Sequence, residues 1–180
     1  MAIKFIKGSL LDSQSQTLVC PVNCVGVMDE GLALSFKLAY PSMYERYKYY
    51  CDKSLLRPGM LWLYGSRRRK VLCFPTRLES EGQADSKELE NIESGLAKFC
   101  ATYKDKGITS VAFPLLGFVD GGQLWESTSM DLLEAYLHTV DIPVELYVHS
   151  LTVPCDLRVK TKLLEDMGFD VVSIEKGTIH

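Results

Sequence analysis

Two glycine-rich stretches offer the residue types best suited to chemistry. The first runs Asn23-Cys24-Val25-Gly26-Val27-Met28-Asp29-Glu30-Gly31, and the second Leu116-Gly117-Phe118-Val119-Asp120-Gly121-Gly122. Glycine lets backbone approach a ligand closely and allows positive φ. Each stretch reads as a passage from a strand into a helix, whose free N–H groups and positive dipole end favour an anion. Two such loops side by side can hold a diphosphate between them. Tight strand-to-helix turns also use glycine, so loop composition alone leaves both readings open. Neither loop is GxGxxG or GxxxxGK[ST], which disfavours the Rossmann and Walker readings.

Other reactive residues are less directive. The six cysteines, at positions 20, 24, 51, 73, 100 and 155, contain no CxxC pair. Cys20, Cys73 and Cys100 lie in apolar patterns, where free Cys behaves as a small hydrophobe. His138, His149 and His180 show no metal-ligand spacing, so no metal is expected. Tyr40, Tyr44 and Tyr47 recur at helical spacing and read as the packed face of a helix rather than a base-stacking platform. Arg67-Arg68-Arg69-Lys70 can meet nucleic-acid phosphates or form a solvated hairpin tip. Trp62 and Trp125 read as core or loop anchors rather than base platforms.

The elements that must position these residues alternate between strand and helix. Ile3–Ile6, Thr17–Val22, Met60–Tyr64, Lys70–Phe74, Thr109–Phe113 and Val144–His149 read as strands, Thr17–Val22 as one buried on both faces. Leu32, Ala33 and Phe36 begin a helix that Pro41 ends. Leu89, Ile92, Leu96, Phe99 and Tyr103 mark a long amphipathic helix, with Asp85 as a candidate cap and Glu88 three residues on. Met130, Leu133, Tyr136 and Leu137 mark another. The tail reads as helix Leu157–Met167, stopped by Gly168, then strand Asp170–Ile174. Such alternation implies an α/β sandwich with a mostly parallel sheet, in which ligands bind beyond the carboxyl ends of the strands.

Composition agrees with one folded domain over residues 1–180. The chain has 180 residues, 47% of them hydrophobic and 24% charged. That length buries roughly 70% of the unfolded surface and fits one domain better than two. Lys+Arg is 20 and Asp+Glu is 23, for a formal net charge of -3. This disfavours a protein that coats nucleic acid through bulk charge, though not a local basic patch. The opening MAIKFIKGSLLDS lacks the apolar core and cleavage site of a secretory signal. No run of ~18 apolar residues is present to span a membrane. A cytoplasmic protein with reduced thiols is expected.

The stretch Gly8–Leu11, followed by Pro21-Val22-Asn23-Cys24-Val25-Gly26-Val27-Met28-Asp29-Glu30-Gly31-Leu32-Ala33, resembles the macrodomain family. That family shows a Gly-Asp or Gly-Asn step after its first strand, then V-N-x-V-G-V-M-G-x-G-[IL]-A. Phe36-Lys37, Tyr40-Pro41, Pro58-Gly59, Phe74-Pro75-Thr76, Leu89–Leu96 and Leu116–Trp125 extend the likeness over residues 3–149. It is nearest to DNA ADP-ribosyl glycohydrolase antitoxins and terminal ADP-ribose glycohydrolases. The resemblance implies a three-layer α/β/α fold with a mixed, mostly parallel sheet of about six strands. Residues 150–180 would form a helix-strand extension.

The resemblance also implies an ADP-ribose site and no cofactor. Ser9, with Leu10 beside it, sits where the family's Asp or Asn meets the adenine. Asn23 matches the contact to the distal ribose. Val27, Met28, Gly31 and Leu32 match the loop whose backbone N–H groups hold the diphosphate. Thr76 lies in the matching Pro-Thr step, and Gly117, Phe118, Val119, Gly121 and Gly122 fall in the loop that closes over the phosphates. His149 falls near the aromatic that stacks on adenine.

Four departures bear on function. Ser9 replaces a carboxylate or amide, a weaker partner for an amino group. Asp29 and Glu30 replace Gly and usually Lys or Ala, and two carboxylates there repel a diphosphate unless they point to solvent. Phe118 and Val119 replace the Cys-Gly of a G-C-G step. Arg77 stands where relatives carry a Lys that attacks or positions the distal ribose. Arginine stays protonated and cannot form a Schiff base, but can orient ribose or stabilise a leaving group. Asp120 is the candidate acid of the second loop, as general base or as a turn residue bonding its own backbone.

Three functions are compatible with these residues. One is hydrolysis of an ADP-ribosyl bond on a nucleic acid or protein, carried by Arg77 and Asp120. Another is capture of ADP-ribose or a related NAD-derived nucleotide without turnover, which the missing lysine favours. The third is a degenerate macrodomain used for protein contact, motivated by Asp29 and Glu30. A monomer that does not bind membranes is expected.

Overall fold

The structure is a computed structural model that describes residues 3–79, 87–116, 125–148 and 171–173. Among these residues, seven strands form one sheet. They are β1 (Ile3–Lys7), β2 (Thr17–Val22), β3 (Trp62–Gly65), β4 (Lys70–Pro75), β5 (Val111–Pro114), β6 (Val144–Val148) and β7 (Val171–Ser173). Their order is β3-β4-β2-β5-β6-β1-β7. Every pairing is parallel except the β3–β4 hairpin.

Period-two alternation along the strands divides the core. Leu18, Cys20 and Val22 of β2 and Val71 and Cys73 of β4 face one side, with Phe36, Met43 and Tyr47. Val19, Leu72 and Phe74 face the other, with Ile92, Leu96, Phe99, Leu133 and Leu137. Helices α1 (Gly31–Ala39) and α2 (Pro41–Asp52) therefore cover one face, and α3 (Glu88–Thr102) and α4 (Trp125–Leu137) the other. This is the expected three-layer α/β/α arrangement. Pro41 opens α2, and Tyr40 before it is held out of helical geometry at φ -132, ψ 67, as a residue preceding proline should be.

Strand edges shift for local reasons. Met60 donates its N–H to Arg57 O, a turn that delays β3 to Trp62. Thr109 N–H goes to the Gln16 side chain, so β5 begins at Val111. Glu88 is the first residue of α3, with Lys87 at the N-cap position, so it is not the third residue of a helix capped at Asp85. Asp85 lies outside the described residues, as does the tail helix expected at Leu157–Met167. The tail strand is described as β7, and it pairs with β1. Among the described residues, no helix is long and apolar enough to cross a membrane.

Glycine matters at one contact behind the site. A Cβ on Gly95 of α3 would collide with the Phe74 ring. The helix can lie against the end of β4 only because that side chain is missing.

Candidate functional site

Parallel pairing brings the carboxyl ends of β4, β2 and β5 side by side, with β2 between the others. The β2–β4 pairing extends past the strands. Thr76 N–H donates to Val22 O at 3.0 Å, and Cys24 N–H donates to Leu78 O at 3.2 Å. Arg77 is thereby set alongside Asn23.

Asn23 organises the first loop. Its Oδ1 accepts from Val25 N–H at 3.1 Å, Val27 N–H at 3.3 Å and the Tyr47 hydroxyl at 2.7 Å. Its Nδ2 donates to Val27 O at 2.8 Å. The Tyr47 hydroxyl also reaches Asn23 O at 2.8 Å, and the Tyr44 hydroxyl donates to Gly26 O at 3.3 Å. The asparagine amide thus folds the loop upon itself while α2 holds it from behind. Burial pushes the Tyr47 phenol far up, so it remains a donor at any working pH.

The diphosphate-binding backbone foreseen for this loop divides in two. The Val27 N–H is engaged by Asn23, and the Met28 side chain is fully buried in the core. At the other end, Gly31 has φ +58 and open space where a Cβ would project. The first residues of α1 carry N–H groups with no intrahelical acceptor. Leu34 N–H is already bonded to Glu30 O, which leaves the amides of Gly31, Leu32 and Ala33 without an acceptor among the described residues.

Asp29 is 72% exposed, and its carboxylate lies 3.7 Å from Lys37 Nζ. That ammonium sits 4.3 Å over the Tyr44 ring. Glu30 is exposed as well. Both carboxylates therefore reach solvent, the condition under which they tolerate a nearby diphosphate.

Beyond β4, Thr76 is buried and its carbonyl accepts from Asn91 Nδ2 at 3.0 Å. Arg77 Nε donates to Glu88 Oε1 at 2.9 Å, with side-chain exposures of 24% for Arg77 and 5% for Glu88. Glu88 and Asn91 are three residues apart and share a helix face, so the first turn of α3 grips consecutive residues of the β4 exit. Beyond β5, Leu116 is buried and its carbonyl accepts from Ser129 Oγ of α4. Ser9 is exposed and precedes the 3-10 turn Leu10–Asp12, of which Leu10 is buried. Gly117, Phe118, Val119, Asp120, Gly121, Gly122 and His149 lie outside the described residues, as do His180 and Cys155.

Cys24 lies in the first loop and Cys51 behind it. Burial, reinforced by Cys51, pushes the Cys24 thiol up to about 11. Cys20 and Cys73 are fully buried, and desolvation raises both. All five described cysteines are free. They are thiols rather than thiolates at neutral pH, which suits packing and not nucleophilic attack. Among the described residues, no group of His, Cys, Asp and Glu has the form of a metal site.

The basic hairpin tip belongs to the opposite end of the sheet. Arg69 Nη1 donates to Ser15 O at 2.7 Å and its Nε to the Tyr40 hydroxyl at 3.3 Å. Lys70 Nζ donates to Lys106 O at 2.8 Å. Arg67 and Arg68 are exposed, but the six residues of β4 separate them from Arg77, about 20 Å at strand spacing. They lie at the other end of the strand from the β4 exit. Trp62 packs edge-on against Tyr50 at 5.0 Å, as an anchor of α2 on the sheet edge.

Two features were not foreseen from sequence: the Glu88 partnership with Arg77 and the Tyr47 hydroxyl lock on Asn23. Neither has a local sequence signal, because each joins groups from separate elements.

A three-layer α/β/α sandwich with a stitched, glycine-containing loop at the carboxyl end of an interior strand is the macrodomain arrangement. The chain belongs to the Macro domain family, whose model matches residues 19–130. The DNA ADP-ribosyl glycohydrolase of Mycobacterium tuberculosis is 33% identical over 144 residues, covering 78% of this chain and 40% of the relative. The chain thus matches less than half of that protein. The macrodomain of Thermus aquaticus DarG superposes with a TM-score of 0.71 at 29% identity, over 81% of this chain and 97% of that one. Thermosipho africanus DarTG, solved in complex with ADP-ribose, gives a TM-score of 0.74 at 34% identity, over 88% of this chain and 44% of that one.

Proposed function

We propose that this chain is an ADP-ribosyl hydrolase that binds ADP-ribose where β4, β2 and β5 end and releases it from modified DNA. The observation that carries the reading is Arg77 held beside the Asn23 loop. The names of the relatives, and the ADP-ribose complex of one of them, supply the ligand and substrate class. The open amides at the start of α1 receive the diphosphate. Ser9 and His149 are assigned to the adenine and the second glycine loop to the phosphates. The whole of residues 1–180 acts as one monomeric unit in the cytoplasm.

In the reaction, water oxygen bonds to the anomeric carbon of the distal ribose while the bond from that carbon to the base breaks. The departing electron pair goes to the base, which takes a proton from solvent. Asp120 accepts the proton lost by water. Arg77 does not form a covalent adduct, since its guanidinium stays protonated. It orients the ribose and stabilises the charge that develops on bond cleavage.

The test is incubation with ADP-ribosylated DNA, and with ADP-ribosylated protein as the comparison, followed by quantitation of free ADP-ribose. Release from DNA supports the reading. Binding of ADP-ribose without release from any substrate at high protein concentration favours the second reading, a non-catalytic binder. That alternative draws on Arg77 already spending one donor on Glu88.

A further inference from the structure

Glu88 is a carboxylate with almost no solvent exposure, set at the first residue of α3. Carboxylates are almost never fully buried unless paired. Its partner is Arg77 Nε, at 2.9 Å. Three residues along the same helix face, Asn91 holds the Thr76 carbonyl. The helix start therefore fixes both the backbone and the side chain at the β4 exit, beside Asn23.

We infer that Glu88 is a positioning residue, holding the Arg77 guanidinium in place for the distal ribose or its leaving group. The inference rests on the role proposed above for Arg77. An arginine carries five N–H donors in a rigid fork, whereas a lysine carries one ammonium. Arginine can give Nε to Glu88 and still offer its two Nη groups to a ligand. A lysine in the same place would offer its donors from a single rotatable point, with no fixed fork to divide between carboxylate and ligand. Glu88 thus accounts for arginine at this position, and the pair must be read together. Loss of Glu88 frees a long side chain to sample many rotamers, which costs catalysis through misorientation rather than through binding.

The experiment is a double-mutant cycle with Arg77→Ala, Glu88→Gln and the double variant, measuring kcat and KM for ADP-ribose release from modified DNA. Thermal unfolding is followed in parallel. Glu88→Gln keeps the side-chain shape. It should lower kcat about 10-fold with KM within about 2-fold, and add nothing on the Arg77→Ala background. Arg77→Lys is the second variant, should Glu88→Gln not fold. Its kcat should fall about as far as that of Arg77→Ala. Additive effects in the cycle, full kcat in Glu88→Gln, or full kcat in Arg77→Lys would overturn the inference alone. A wild-type protein that releases no ADP-ribose would overturn it together with the proposed function.

Discussion

The Tyr47 hydroxyl touches Asn23 twice, at the backbone oxygen and at the side-chain Oδ1, at 2.8 and 2.7 Å. A fully buried phenol on α2 thereby fixes the residue from which the first loop is built. Tyr47→Phe keeps the ring in the core and leaves the two oxygens without that donor. It should cost about 1–3 kcal/mol of stability by chemical denaturation and weaken ADP-ribose binding by calorimetry. Unchanged values in both would show that the loop stands without this support.

Gly95→Ala tests the packing behind Arg77. The new methyl meets the Phe74 ring, and both residues are buried. Alanine ordinarily favours a helix interior, so an isolated helix would gain. Here overpacking should dominate, with a loss of about 1–3 kcal/mol. A more stable variant would mean that α3 does not lie this close to the end of β4.

Asp29→Asn addresses the acidic loop. The Asp29–Lys37 pair is solvent-exposed, and such pairs contribute about 0–1 kcal/mol. The melting temperature should stay within about 2 °C, and ADP-ribose affinity should improve by no more than about 3-fold. An improvement of 100-fold would show that Asp29 opposes the ligand directly.

Cys24 offers a pH readout. With the folded thiol pushed up to about 11, the protonated form persists at pH 8. Alkylation of native protein there should run on the order of 100-fold slower than for a free thiol, because only the thiolate reacts. The rate should rise as pH climbs toward 11 and reach the free-thiol value in denaturant. The sign follows for stability as well: a pKa raised by folding leaves stability intact below about pH 9 and reduces it as pH rises further. Rapid modification of the native protein at pH 8 would contradict this burial.

Much of the fold was legible because one face or both faces of each element must be apolar. Thr17–Val22 reads as a near-continuous apolar run and forms the interior strand β2 with those bounds. The helix from Gly31 to the residues before Pro41 was legible from its apolar spacing and from proline geometry. The site was less legible, because it depends on groups that meet across chain separations. Periodicity assigned Tyr47 to a packed helix face, which it occupies, but says nothing of where a phenol oxygen ends. The meeting of Glu88 with Arg77 depends on the path between β4 and α3, and no local pattern encodes that path. Asn23 was marked by resemblance as a ribose contact, whereas its amide oxygen accepts only from loop and α2 donors among the described residues.

Release of ADP-ribose from ADP-ribosylated DNA, by wild type and by Arg77→Ala, tests the central claim most directly. The wild-type chain should yield free ADP-ribose and unmodified DNA. Arg77→Ala leaves the buried Glu88 carboxylate unpaired and should lose stability; the folded variant should lose at least about 100-fold in kcat/KM, the scale of a removed charge-stabilising donor. A wild-type chain that binds ADP-ribose but releases none, or an Arg77→Ala variant as active as wild type, would contradict the account.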